Sequence, residues 1–175
     1  MEPAAPPALP PRSAQVAAAL AAAGVPGEVR LLADSARTAA EAAAALGCEV
    51  GAIANSLVFL SDGEPVLVLT SGRHRVDTAA LAARWGRGPL RRATPEQVRE
   101  ATGQAIGGVA PTGHPRPLPT VVDLALTDYP RVWAAAGTPH TVFPTTADEL
   151  LHLTNGTLLP VTTSQDDEPQ PQPRG

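Results

Sequence analysis

The chain predicts an α/β or α+β domain built on a mixed β-sheet, and three observations carry that prediction. Segments of helical and strand-like pattern alternate along the sequence. Two apolar runs, 53–60 and 65–70, are joined by Ser61-Asp62-Gly63-Glu64, a turn of hairpin composition. The length of 175 residues, 43% of them apolar, is enough for one domain with a real core.

The elements follow in order. Ser13 can cap an alanine-rich helix that runs to about Ala23 and stops at Gly24. Residues 28–32 read as a short strand, and 38–46 as a helix ended by Gly47. After the hairpin come helical signals at 77–84 and at 95–102, the second with Thr94 as N-cap before Pro95. Residues 103–119 hold too many glycines and prolines for helix or strand, so they form a structured loop. Strands are expected at 120–126, 132–135 and 141–143, and a helix at 145–153 capped by Thr145 or Thr146. The ends differ from this middle. Residues 1–12 are rich in proline and alanine, and residues 164–175 are acidic and then alternate proline with glutamine, so both are expected to be disordered tails around a domain at 13–163.

Composition narrows the chemistry. All 13 basic residues are arginine, so reactions that need an amine nucleophile or a lysine ammonium are excluded. Only five aromatic residues are present, and the core should be aliphatic and tight. A formal charge of −4 argues against a strongly basic nucleic-acid coat. The arginines are nonetheless uneven: Arg73, Arg75, Arg84, Arg87, Arg91, Arg92 and Arg99 cluster with His74 between positions 73 and 99. Such a stretch is either a set of solvated faces or a phosphate-contacting surface. Cys48 is the sole cysteine, which rules out an intrachain disulfide and suits a reducing compartment. No signal peptide and no run near the ~20 apolar residues of a membrane span is visible, so a soluble, cytoplasmic protein is expected.

Two segments are candidates for function. The strand Ile53-Ala-Asn-Ser-Leu-Val-Phe-Leu60 carries a polar pair, Asn55 and Ser56, inside an apolar run. A buried amide or hydroxyl must be hydrogen-bonded, so the pair is either satisfied internally or presented to a ligand. Alternation sends the two to opposite faces, and Asn55 is the one favoured to face a pocket. The second segment is the loop Ala105-Ile-Gly-Gly-Val-Ala-Pro-Thr-Gly-His-Pro115. There Gly107 and Gly108 permit close backbone approach to a ligand, and Pro111 stiffens the far side. The loop matches neither a P-loop nor a dinucleotide fingerprint. His74, His114, His140 and His152 lack zinc-site spacing, and no nucleophile elbow points to a Ser-His-Asp triad. Each histidine has a plain surface reading. Asp123 reads as a strand-end residue, and Thr70-Ser71-Gly72 as a turn with side-chain bonds to backbone.

Taken together, the strand I-A-N-S-L-V-F, the return P-V-L-V-L-T-S-G, the segment R-V-D-T-A-A-L, the loop G-G-V-A-P-T-G and the late segment V-W-A-A-A-G-T-P-H-T-V-F-P-T-T resemble the YbaK/ProX family, free-standing relatives of the editing domain of bacterial prolyl-tRNA synthetase. The resemblance spans about 13–162. It implies a mixed, curled β-sheet surrounded by helices, and hydrolysis of the ester bond of misacylated aminoacyl-tRNA without metal or organic cofactor. The partner it implies is the acceptor end of aminoacyl-tRNA, with an aminoacyl-tRNA synthetase or elongation factor as further contacts, and neither DNA nor membrane. The positions it assigns to catalysis are Asn55 and Gly107. Substrate-binding candidates are Ser71, Gly72, Gly108, Pro111 and His140, and the arginine-rich stretch itself offers Arg73, Arg75, Arg91 and Arg92 for tRNA binding. The family's G-x-x-x-P element falls on Gly107 to Pro111. Its strand motif commonly reads I-V-K-[ST]-L-V-F, and here the lysine is replaced by Asn55. Loss of a charge-assisted hydrogen bond costs roughly 1.5 to 3 kcal/mol, or one to two orders of magnitude in rate. A non-catalytic module of the same fold, recognising aminoacyl-adenosine, a small amino-acid-like ligand or a protein partner, is the alternative, and hydrolysis of another small ester is a third.

Overall fold

The computed structural model describes residues 8–163. Of the tails predicted at 1–12 and 164–175, residues 1–7 and 164–175 lie outside the described residues. Within the described part, local chemistry sets most element ends. Helix α1 (Pro11–Ala22) opens with proline at its first position, where the missing N–H costs nothing. It therefore starts inside the predicted tail. Ser13 is not its cap. The side chain is buried, and its Oγ lies 2.8 Å from Thr141 Oγ1, tying the helix to the sheet. The predicted strand at 28–32 shrinks to β1 (Arg30–Leu31). Helix α2 (Ala39–Leu46) has a full capping box, in which Thr38 Oγ1 accepts from the Glu41 N–H and the Glu41 carboxylate accepts from the Thr38 N–H.

Strands β2 (Ile53–Ser61) and β3 (Glu64–Ser71) form the hairpin, in the register Ser61 opposite Glu64. Asp62 and Gly63 both take positive φ, 52° and 81°, as the two-residue turn with right-handed strand twist requires. Next come α3 (Thr78–Trp85), capped by Asp77, then β4 (Leu90–Arg92) and α4 (Pro95–Thr102), capped by Thr94. After the loop, the strand predicted at 120–126 ends early as β5 (Thr120–Asp123). Asp123 accepts the Ala125 N–H and turns the chain into a 3-10 turn over Leu124–Asp128. The chain closes with β6 (Val132–Ala135), β7 (Thr141–Thr145), α5 (Ala147–Thr154), capped by Thr146, and β8 (Thr157–Leu159).

The sheet is mixed and runs β1-β7-β6-β2-β3-β5-β8, with β4 added to β2. Pairings β2–β6, β3–β5 and β5–β8 are parallel, and the rest antiparallel. Both faces are covered. Leu67 and Leu69 of β3 pack with Val16 and Leu20 of α1, Val98 of α4 and Leu150 of α5. On the opposite face Val66 and Val68 pack with Phe59 and with Leu81 of α3. Ala42 and Ala43 of α2 cover Ile53, Trp133 and Val142. Because β3 is buried on both faces, it reads as a continuous apolar run rather than an alternating one. Its partner β2 carries the polar pair.

Candidate functional site

The polar pair of β2 sits where the sheet is interrupted. One edge of β2 is paired with β3 from Ala54 to Ser61. The other edge is shared, with β6 opposite Ile53 and Ala54 and β4 opposite Phe59 to Ser61. Between these two partners the edge is open. The Ile53 carbonyl accepts from the Gly72 N–H on the β3 side, while the Val58 carbonyl accepts from the Ala93 N–H on the other. Alternation of an antiparallel ladder therefore turns the N–H and C=O of Ser56 into the gap. Its side chain falls in the period of Ala54, Val58 and Leu60, on the main-core face, and that of Asn55 in the period of Ile53 and Leu57.

A pocket of about 480 Å³, its open mouth included, fills this gap. Both Asn55 and Ser56 line it, because it wraps around the strand edge instead of lying on one face. Ser56 Oγ is buried and has no hydrogen-bond partner among the described residues. The Asn55 side chain is half-buried, and no hydrogen bond engages its amide among the described residues. Such groups cost free energy until water or a ligand meets them. Gly107 and Val109 form one wall and Trp133 with Val142 another, while Ala39, Ala42 and Ala134 keep the interior small and apolar.

The glycine loop is held over this gap by a buried amide. Gln104 is 1% exposed; its Oε1 accepts from the Ala110 N–H at 2.8 Å and its Nε2 donates to the Thr112 carbonyl at 3.3 Å. Gly107 has φ +93°, a conformation that favours glycine. A Cβ on Gly108 would lie 2.5 Å from the Thr138 carbonyl carbon, so only glycine lets the loop close against that turn. His114 Nε2 lies 2.8 Å from the Ala110 carbonyl. Burial pushes its imidazole below the ordinary value, outweighing that bond.

Of the sequence-assigned positions, Asn55 and Gly107 meet at the pocket, and Ser71, Gly72, Gly108, Pro111 and His140 stand outside its lining. Ser71 is buried, with Oγ donating to the Gly51 carbonyl at 2.7 Å and N–H donating to Asp123. Gly72 packs on the Val50 carbonyl, and Gly108 on the turn at Thr138. Pro111 is buried beside a separate depression with His114 and Leu118. His140 is exposed, its carbonyl accepting from Leu32. Arg73 pairs with Asp128 at 3.0 Å and donates to the Tyr129 hydroxyl. Arg92 lies 5.8 Å from the Phe59 ring centroid, and Arg75 and Arg91 are exposed.

The sequence reading missed Arg37, Thr38 and Trp133, which all line the pocket. The signal available for the first two was Thr38 itself, whose cap fixes where α2 begins and hence what its first turn faces. Among the described residues, no three His, Cys, Asp or Glu side chains gather around one metal position.

Comparison with known proteins agrees on one grouping. The family model described as the aminoacyl-tRNA editing domain matches residues 33–153. A proline--tRNA ligase of Nitratidesulfovibrio vulgaris is 36% identical over 103 residues, which is 59% of this chain but 17% of the ligase. The uncharacterized protein YwhH of Bacillus subtilis is 31% identical over 117 residues, 66% of this chain and 74% of that protein. Among solved structures, a candidate trans-editing enzyme for prolyl tRNA synthetase superposes with a TM-score of 0.84 at 47% identity, covering 90% of this chain and 100% of the other.

Proposed function

The chain belongs to the aminoacyl-tRNA editing domain family, and from that membership we propose that it hydrolyses the ester of misacylated tRNA in trans, in the pocket at the open edge of β2. The observation that carries this reading is the convergence of unpartnered polar groups on a small apolar space. Asn55 and the strand edge carrying the gap-facing Ser56 backbone N–H line it, with the unpartnered Ser56 hydroxyl buried beside them, under a loop that glycine brings close. These donors suit an ester carbonyl whose oxygen gains charge as water adds.

The reaction needs little else. Water adds to the acyl carbon, the bond from that carbon to the ribose oxygen breaks, and the water's proton ends on the ribose oxygen, with the vicinal hydroxyl as carrier. The products are the free amino acid and tRNA with an intact terminal ribose. No histidine, cysteine or carboxylate lines the pocket among the described residues, so positioning and the substrate's own hydroxyl must supply the rate. The alanine-rich interior favours a small, uncharged amino-acid side chain. Arg91, Arg92 and Arg75, exposed on the arginine-rich stretch, would meet the acceptor stem and make affinity salt-dependent, whereas Arg73 is already committed to Asp128 and Tyr129.

The test uses purified protein with tRNAs carrying prolyl, alanyl, cysteinyl, seryl and threonyl groups, beside an Asn55→Lys variant. Release of an alanyl or seryl group by the parent is expected, with a gain of roughly one to two orders of magnitude in the variant. The uncharged Asn55 and the absence of a base in the wall favour a second reading, a non-catalytic module that binds aminoacyl-adenosine. Release of none of these groups by the parent, with release by the variant, would reject catalysis by this chain and favour the binding module.

A further inference from the structure

Arg37 is the one charged residue that lines the pocket among the described residues. Its stem lies along the glycine loop: a Cβ placed on Gly107 would be 3.2 Å from Arg37 Cβ and 3.3 Å from Cγ. The residue is exposed, and among the described residues its guanidinium has no hydrogen bond, ion pair or ring contact. The nearest acid in sequence is otherwise engaged. Glu41 accepts the backbone N–H groups of Arg37 and Thr38, at 3.0 and 3.2 Å, as part of the α2 cap.

Several other arginines are engaged within the fold, and those that are not stand outside the pocket lining. Arg73 is held by Asp128, Arg84 donates to the Pro160 carbonyl at 3.0 Å, and Arg30 and Arg87 lie over Trp133 and Trp85. Arg37 is thus a free cation at the mouth of a pocket whose interior is neutral.

The chemistry of an aminoacyl ester leaves few anions for it to meet. The amino acid's carboxylate is consumed in the ester, and its amino group is itself cationic. The nearest anion in such a substrate is the phosphodiester on the 5′ side of the terminal adenosine. A guanidinium is well suited to that group, because two parallel N–H bonds match two phosphate oxygens.

We propose that Arg37 binds the phosphodiester that joins the terminal adenosine to the preceding nucleotide, and so supplies from the start of α2 the positive charge that Asn55 does not bring. Repulsion between Arg37 and the substrate's ammonium then turns the amino group away from the mouth. This inference rests on the reading of the pocket as a site for aminoacyl-adenosine.

The experiment is calorimetric titration of the full chain with two non-hydrolysable probes, 3′-alanylamido-3′-deoxyadenosine and the same nucleoside extended by a 5′-linked cytidine phosphodiester. The dinucleotide is expected to bind about tenfold tighter than the nucleoside, an advantage that shrinks as salt is raised. Arg37→Gln should abolish the advantage, Arg37→Lys should keep part of it, and Arg116→Gln, at an exposed arginine outside the pocket lining, should keep all of it. Equal affinity of the parent for both probes, or an undiminished advantage in a folded Arg37→Gln, overturns the inference alone. Failure of the nucleoside to bind at all overturns the reading beneath it as well. Should Arg37→Gln not fold, the comparison of probes across salt in the parent decides: a salt-independent advantage, or none, rejects the role of charge.

Discussion

His114 shows how one side chain under the loop links stability to pH. The Ala110 carbonyl can only accept, so the ring carries a proton on Nε2. Burial lowers its pKa, and an unfolded histidine titrates near ~6.5. Between the depressed value and about 6.5, the unfolded chain therefore holds more protons than the folded one, and stability rises with pH through that window. The contribution is complete above it and is lost as pH falls toward the folded-state value. Thermal melts from about pH 7.5 down to about pH 5.5 should show Tm falling, with a shallower fall in His114→Gln. Identical slopes in the two proteins would remove His114 from the explanation.

Among the elements, the loop between α4 and β5 depends most on one residue. Gln104 bonds the Ala110 N–H and the Thr112 carbonyl, so it braces the loop from inside, where no water can replace it. Gln104→Leu keeps much of the volume but orphans both backbone groups. A loss of about 1–3 kcal/mol in urea melts is expected, together with weaker probe binding as Gly107 leaves the pocket. The sequence announced this loop by its glycines and prolines but not its brace, since a lone glutamine carries no pattern. Legibility followed local chemistry elsewhere too. Thr94-Pro95, Thr38 with Glu41, and Asp62-Gly63 fix their element ends through short-range bonds that the sequence displays. Strands β4 and β8 are three residues each, and Leu-Arg-Arg has strand form only because Phe59, Leu60 and Ser61 pair with it. Ser13 misled for a related reason: a hydroxyl near a helix start reads as a cap, while Thr141, far along the chain, claims it.

Across the whole molecule, Asp123 joins segments that are distant in sequence. Its fully buried carboxylate accepts from the Ser71 N–H at 2.9 Å and the Ala125 N–H at 2.9 Å, and lies 2.9 Å from His74 Nδ1. It therefore pins the end of β3, the exit of β5 and the turn leading to β6. Asp123→Ala leaves these donors without an acceptor, and a destabilisation of about 3–5 kcal/mol is expected in denaturant melts. A loss below about 1 kcal/mol would show that the donors find other partners. The site was legible to a similar depth. Asn55 and Gly107 stood out because polar or flexible residues interrupt their surroundings, but the meeting of both with Arg37 depends on how β6 and β4 divide one edge of β2. That division has a further consequence. An unpaired strand edge ordinarily invites another chain to add itself, the first step of aggregation. Here the opening is bounded at Ala54 by β6 and at Phe59 by β4, too short for an incoming strand to find register. On the function proposed above, the vacancy takes a small acyl group at backbone donors that the same narrowness keeps from pairing with a second polypeptide at this opening.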